Sequence, residues 1–98
     1  MSIPVILRPE ADADIESIHD ELEGVRAGLG DQFVAMVRGA LQHLEAMPEM
    51  YGLVWNDVRA ARLRRFRHIV YYIVFADRVE VIAVMHGSRD SSAWQSRA

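Results

Sequence analysis

Apolar side chains recur at steps of three and four through the first half of the chain, and this spacing predicts two amphipathic helices. The first helix is expected over residues 9–28, and its apolar positions are Ala11, Ile15, Ile18, Leu22 and Val25, with Leu29 following. The second is expected over residues 31–47, and its apolar positions are Phe33, Val37, Ala40, Leu44 and Met47. Asp31 suits the N-cap of the second helix and Pro48 ends it. Because the link between the helices is short and contains glycine, we expect an antiparallel helical hairpin.

The pattern changes after residue 57 to runs rich in β-branched and aromatic residues, which predict strands. We expect a first strand at residues 3–7 and a three-strand antiparallel meander over residues 58–86, with strands at 58–67, 68–75 and 79–86. Residues 87–98 form a polar tail that contains Trp94. The order β-α-α-β-β-β predicts an α+β fold, with an antiparallel sheet of about four strands and an antiparallel two-helix hairpin on one face. We expect residues 1–98 to form one domain.

Two of the predicted strands are apolar at every position rather than at alternate positions. These runs are residues 69–75 and 81–85. A helical hairpin covers only one face of a sheet, so an apolar second face needs another cover. We expect that cover to be the polar tail with residues 48–57, a second copy of the chain, or a different protein.

Charge is distributed unevenly between the two halves of the chain, and this distribution indicates which kind of ligand each half can bind. The net charge is −3, and all 11 basic residues are arginine. Residues 1–57 carry eleven acidic residues against three arginines, whereas residues 58–98 carry eight arginines against three acidic residues. Since arginine binds carboxylates and phosphates through paired hydrogen bonds, the second half is suited to holding anions.

Composition also excludes several classes of protein. There is no cysteine, which excludes disulfides and thiol chemistry, and no apolar run is long enough to span a membrane. The first residues lack the pattern of a secretion signal, so we expect a cytoplasmic protein. His19 and His43 lie on polar helix faces, where we expect them to be solvated. No two histidines have metal-ligand spacing, and we expect neither a metal nor a cofactor.

One group of residues raises the possibility of RNA cleavage. Cutting RNA through its 2′-hydroxyl requires a base, an acid and a cation, and His68, His86, Arg65 and Arg89 lie on or next to predicted strands. The alternative is that both histidines only make structural hydrogen bonds. The net negative charge argues against a protein that binds nucleic acid, because contacts between basic side chains and phosphates dominate the affinity of such proteins.

An arginine cluster precedes the first fully apolar strand, and its members are Arg59, Arg62, Arg64, Arg65 and Arg67. Within a strand these side chains would point to both faces of the sheet, and guanidinium groups are not buried without partners. We expect Glu45, Glu49 and Asp57 to pair with them internally, or an acidic segment of another chain to do so externally.

Three sequence stretches and the predicted order together resemble the ParE branch of the RelE/ParE toxin superfamily, over residues 3–94. They are L-x-x-x-P at residues 44–48, RHIVYYIV at 67–74 and VIAVMHGSRD at 81–90, whose ending H-G-x-R-D is the most specific. The resemblance implies the toxin of a type II toxin–antitoxin system, neutralised by a ParD-like antitoxin whose C-terminal segment wraps around it. It further implies inhibition of DNA gyrase by protein–protein contact, without an active site of its own. The RelE branch implies the alternative, a ribosome-dependent mRNA endonuclease.

Departures from the RelE pattern favour the gyrase interpretation. The lysines that such nucleases often use are absent, although Arg89 can match their late arginine and Trp94 stands near their late tyrosine. The residues expected at an antitoxin- or target-binding surface are Arg62, Arg64, Tyr72, Arg89 and Trp94. We expect no membrane contact and no direct nucleic-acid binding. A degenerate toxin that only binds its antitoxin is a third possibility.

Overall fold

A computed structural model describes residues 3–98 and confirms the α+β fold. The strands are β1 (Val5–Leu7), β2 (Leu53–Trp55), β3 (Val58–Arg62), β4 (His68–Val74) and β5 (Val79–His86), and the helices are α1 (Pro9–Val25), α2 (Leu29–Ala46) and α3 (Ser92–Gln95). The sheet order is β1-β5-β4-β3-β2. Four strands pair antiparallel, as expected, while β1 pairs in parallel with β5. Strand β2 comes from a stretch in which we predicted no regular element, and α3 is a short helical turn within the predicted polar tail.

The two helices form the predicted hairpin, but the link lies at residues 26–28 instead of the expected 29–30. Helix α1 ends at Val25 and α2 begins at Leu29, because Gly28 turns the chain in the left-handed region with φ of 88°. Asp31 does not cap α2. The carboxylate of Glu23, one helix earlier, accepts the N–H groups of Gly28, Gly30 and Asp31 at 3.1, 2.8 and 3.2 Å. These hydrogen bonds, that from Gly28 first, lower the pKa of Glu23.

The helices pack closely at Gly30. A Cβ at this position would lie 2.5 Å from the carbonyl oxygen of His19 and 2.7 Å from Cγ of Glu23. The side-chain atom could move, but the backbone oxygen of α1 could move only if the helices separated. Gly30 is therefore required by the close approach of the two helices rather than by an unusual φ angle.

A β-bulge explains why β5 is apolar at consecutive positions. Tyr71 pairs with Ala83 and Tyr72 with Val81, so Ile82 is an extra residue in β5. The core under the helices includes Phe33, Val37, Leu44, Val70, Tyr72, Val79, Val81 and Val84. The core on the opposite face includes Val58, Ile69, Tyr71, Ile73, Ile82, Ala83, Met85 and Trp94. The bulge places the neighbouring side chains of Ile82 and Ala83 in the same core, whereas the side chains of β4 alternate between the two cores.

The polar tail covers much of the second sheet face. Trp94 of α3 is 6% exposed and its ring stacks on Tyr71, with centroids 4.4 Å apart and planes inclined by 14°. Ile69, Tyr71, Ile73 and Met85 are buried within the single chain. Of the three covers considered from the sequence, the polar tail is therefore the one observed, and a second protein is not needed to cover this face.

Side chains also close the edge of β5 beyond the short strand β1, which pairs only with residues 79–81. Asp14 accepts the N–H of Val84 at 3.0 Å, and Arg97 donates to the carbonyl of Ile82 at 3.1 Å. Arg97 also donates to both carboxylate oxygens of Asp14, at 2.6 and 3.2 Å. The tail is thus attached to α1 and to the sheet. Among residues 3–98, no helix is both long and apolar enough to cross a membrane.

Candidate functional site

The arginine cluster lies mainly in a loop rather than in a strand. Strand β3 ends at Arg62, not at residue 67 as predicted, and Arg65 adopts a left-handed conformation with φ of 67° in the loop 63–67. Arg62, Arg64, Arg65 and Arg67 are all exposed. Because most of them lie beyond the strand, the argument from strand faces does not apply.

These arginines lack the internal partners that we expected. Within residues 3–98, no carboxylate forms an ion pair with Arg62, Arg64, Arg65 or Arg67, so the expectation for Glu45, Glu49 and Asp57 is wrong. Arg59 instead donates to the backbone carbonyls of Tyr51 and Glu49, at 2.7 and 3.4 Å. Four guanidinium groups are therefore available to ligands from outside the chain.

Arg62 and Arg64 border an apolar depression of about 270 Å³ between α2 and the end of β3. We name this depression the α2–β3 groove. It is lined by Ala35, Met36, Gly39, Ala40, His43, Tyr51, Arg62, Leu63 and Arg64. The small residues of α2 leave space for another backbone or side chain to approach. The groove thus combines an apolar lining with two unpaired cations.

A second depression, of about 460 Å³, lies between α1, the loop 63–67 and the end of the sheet. We name it the histidine cleft, and its polar lining is Asp14, Ser17, Glu21, Arg65, Arg67, His68, His86 and Arg89. It brings together all four residues that the sequence suggested for RNA cleavage. The rings of His68 and His86 are paired by β4 and β5 and lie 5.4 Å apart.

The two histidines differ in environment. Nδ1 of His68 is buried and has no hydrogen-bond partner, and burial, followed by the nearby His86, lowers the pKa of His68. Nδ1 of His86 lies 2.7 Å from Oγ of Ser88. His68 therefore favours the neutral form.

The five residues expected at a binding surface do not form one surface. Arg62 and Arg64 lie together in the α2–β3 groove, whereas Arg89 lines the histidine cleft. Tyr72 is fully buried, and its hydroxyl donates to the carbonyl of Pro48 at 2.9 Å. Burial is the main cause that raises the pKa of Tyr72. Tyr72 is a core residue, and its predicted place at the surface is wrong.

Trp94 contributes to a third depression, of about 510 Å³, on the face opposite the helices. This tryptophan groove is lined by Tyr51, Gly52, Leu53, Val54, Ala60, Arg62, Ile69, Tyr71, Gly87 and Trp94. Leu53 and Val54 of the edge strand β2 are 58% and 51% exposed. The sequence signal for this surface was the apolar triplet 53–55. Because turn-forming residues surround the triplet, we predicted an irregular stretch there instead of a strand.

One group of possible metal ligands occurs within residues 3–98, namely His19, Glu23 and Asp31, whose ligand atoms lie within 4.8 Å of one another. Glu23 already accepts three backbone N–H groups, and the ring nitrogens of His19 each lie 3.0 Å from a carboxylate oxygen, one of Asp20 and one of Asp31. Hydrogen bonding first to Asp20 and then to Asp31 raises the pKa of His19. These hydrogen bonds connect α1 to the start of α2, so the cluster holds the two helices together.

Comparisons with solved structures agree with this fold. A chain of the chromosomal ParDE TA system from P. aeruginosa is similar with a TM-score of 0.66 and 12% identity, over 87% of this chain and 96% of that chain. The E. coli toxin RelE, solved as an arginine-to-alanine double mutant in the free state, gives 0.64 and 18%, over 100% and 95%. At these identities the likeness establishes the fold alone. A search of curated protein sequences finds no match.

The family assignment comes from the sequence itself. The profile of the ParE toxin of the type II toxin–antitoxin system parDE matches residues 5–91, which include the helices α1 and α2, all five strands and the arginine-rich loop. Because the match covers most of the chain and agrees with the fold, this chain belongs to the ParE toxin family of type II toxin–antitoxin systems.

Proposed function

We propose that this toxin is neutralised by a ParD-like antitoxin and inhibits DNA gyrase by protein–protein contact, without an active site of its own. The gyrase part follows the family resemblance. The neutralisation part is supported by one observation, which is the α2–β3 groove with Arg62 and Arg64 at its border. Both arginines are exposed and neither has a carboxylate partner within residues 3–98.

The chemistry of the groove defines the segment that it would accept. An amphipathic helix can place apolar side chains against Ala35, Met36 and Ala40, while its carboxylates meet the two guanidinium groups. Charge-assisted, bidentate hydrogen bonds from arginine to carboxylate are stronger than neutral hydrogen bonds and fix the orientation of the partner. A C-terminal antitoxin segment with this composition is the partner that we propose for the groove.

Binding of the cognate antitoxin to arginine variants tests this assignment. Replacement of both Arg62 and Arg64 by alanine should weaken antitoxin binding at least tenfold, which corresponds to about 1.4 kcal/mol. The variant Arg38→Ala is the control, because Arg38 is also exposed but lines neither the α2–β3 groove nor the histidine cleft. Calorimetric titration of all three proteins provides the comparison. An unchanged affinity of the double variant would falsify the groove assignment.

Ribosome-dependent cleavage of mRNA is the second candidate function, and the histidine cleft is the observation that favours it. Catalysis at this cleft needs an acid and a base, and the two facing histidines have different environments. Induction of the toxin alone in cells separates the candidates. Gyrase inhibition predicts a DNA-damage response with intact transcripts, whereas the alternative predicts early cuts in mRNA that primer extension maps.

A further inference from the structure

We propose that the histidine cleft binds the phosphate group of a nucleotide, held by Arg65, Arg67 and Arg89. Inhibition of gyrase by protein contact requires no such site. The second candidate function uses the same cleft, but the inference concerns the binding of a nucleotide phosphate and requires neither cleavage nor a ribosome. It rests on the charge, lining and size of the cleft.

The charge at the cleft is positive although the protein as a whole is negative. Arg65, Arg67 and Arg89 have no ion-pair partner within residues 3–98. Of the two carboxylates in the lining, that of Asp14 is bonded to Arg97 and to the N–H of Val84. Glu21 is the remaining one, so three guanidinium groups face a single free carboxylate. Such an excess attracts an anion.

Phosphate matches this arrangement better than a carboxylate does. Guanidinium forks bind phosphate oxygens in pairs, and a phosphate has enough oxygens to engage several arginines at once. A carboxylate has two oxygens and is satisfied by one fork. The left-handed backbone at Arg65 places consecutive arginine-rich positions of the loop around the cleft.

His68 supplies a further donor. Its buried Nδ1 has no partner, and a buried N–H without an acceptor is rarer in proteins than a free lone pair. The proton of the neutral ring therefore belongs on Nε2, which is then a hydrogen-bond donor. This tautomer suits a ligand that offers only acceptor oxygens.

The rest of the lining suits a nucleotide rather than inorganic phosphate alone. Ile18, Leu22, Phe66 and Met85 give the cleft an apolar portion, and Phe66 is partly exposed. Aromatic and apolar surfaces stack with nucleobases without strong preference for one base. The volume of about 460 Å³ lies in the range of small-ligand sites, about 300–1,000 Å³.

The test is an NMR titration of the isolated toxin, with ionic strength held constant by sodium chloride. The probes are inorganic phosphate, AMP, ATP and a short single-stranded RNA. We expect AMP or ATP to shift the signals of His68, His86 and the cleft arginines saturably, and more tightly than inorganic phosphate. Binding of RNA without binding of free nucleotides would assign the phosphate to a polynucleotide strand, which still supports the site.

Arginine variants test whether these side chains form the phosphate-binding site. Arg65→Gln with Arg89→Gln should weaken binding at least tenfold, whereas Arg38→Gln should leave it unchanged; heteronuclear spectra establish that each variant is folded. The proposal is overturned if none of the phosphate probes gives saturable shifts, or if the double variant and the control bind equally. Antitoxin, gyrase and ribosome are all absent, and no cleavage is measured, so a failure of phosphate binding is distinguishable from a failure of either candidate function.

Discussion

Arg62 lies at the end of β3 and lines the α2–β3 groove, the tryptophan groove and a depression beside His68 and His86, so one guanidinium group borders three surfaces. Arg64 lines the α2–β3 groove and not the tryptophan groove. The loss of binding caused by Arg64→Ala alone therefore reports on the α2–β3 groove. An additional loss caused by Arg62→Ala can come from any of the three surfaces. The double variant gives the largest effect, and Arg64→Ala gives the clearest assignment.

His19 makes the stability of the helical hairpin depend on pH. Hydrogen bonds to Asp20 and Asp31 raise its pKa in the folded state, so the folded protein binds the proton more tightly than the unfolded chain does. This contribution to stability is fully present below the unfolded pKa, about 6.5, and is lost as pH rises through the raised folded pKa. The difference in melting temperature between the wild type and His19→Gln should therefore be largest near pH 5 and shrink toward pH 9.

A comparison between variants is needed because His68 acts in the opposite direction. Burial lowers the pKa of His68, so its contribution to stability is lost as pH falls. The subtraction of the two melting curves removes this common contribution. A difference that stays constant from pH 5 to pH 9 would show that the contacts of His19 with the two carboxylates do not raise its pKa.

At the scale of elements, α3 is attached through Trp94, which packs on the sheet, and through Arg97, which follows the helix. Replacement of Arg97 by glutamine removes the ion pair with Asp14, whose side chain is 17% exposed, and the bond to the carbonyl of Ile82. A largely buried carboxylate without its partner costs about 1–3 kcal/mol, and we expect the free energy of unfolding to fall by that amount in urea titrations. We also expect faster amide exchange at Val84 and in α3.

The control for this prediction is Arg38→Gln, which replaces an exposed arginine that has no ion pair within residues 3–98. Its stability should stay within about 0.5 kcal/mol of the wild type. If Arg97→Gln behaves in the same way, the ion pair is not what holds the tail, and the packing of Trp94 and the bond from Arg8 to the carbonyl of Arg97 are sufficient.

The pattern of apolar residues predicted both long helices and four of the five strands, because this pattern follows local geometry. It did not predict that β1 pairs in parallel with β5, since strand partners are chosen by tertiary packing. The bulge at Ile82 was also not predicted, and the apolar spacing of β4 and β5 did not show which of the three possible covers packs on the second sheet face. Strand β2 was missed because its three residues are too few for a pattern.

The candidate sites were less predictable than the fold because they depend on where loops place side chains. The sequence identified Arg65, His68, His86 and Arg89 as one group, and the pairing of β4 with β5 brings the histidines together. It placed Tyr72 at the surface, since an aromatic residue in an apolar strand gives no sign of which face is buried. The role of Glu23 as a cap for the following helix had no local signal at all.

At the scale of the whole molecule, the charges of the two halves remain separate. The α1–α2 hairpin carries most of the acidic residues, and the loop 63–67 concentrates arginines at one end of the sheet. That loop supplies Arg64 to the α2–β3 groove and Arg65 to the histidine cleft. An antitoxin segment bound in the groove would therefore lie beside the cleft and lower its positive potential.

The most direct test of the proposed function is the supercoiling of relaxed plasmid by purified DNA gyrase in the presence of this toxin. We expect the toxin to inhibit supercoiling in a concentration-dependent manner, and a stoichiometric amount of the cognate antitoxin, added first, to restore it. The toxin mixed with its antitoxin and the antitoxin alone are the controls. Full supercoiling at a toxin concentration that arrests growth in cells, together with cut mRNA in those cells, would contradict the account.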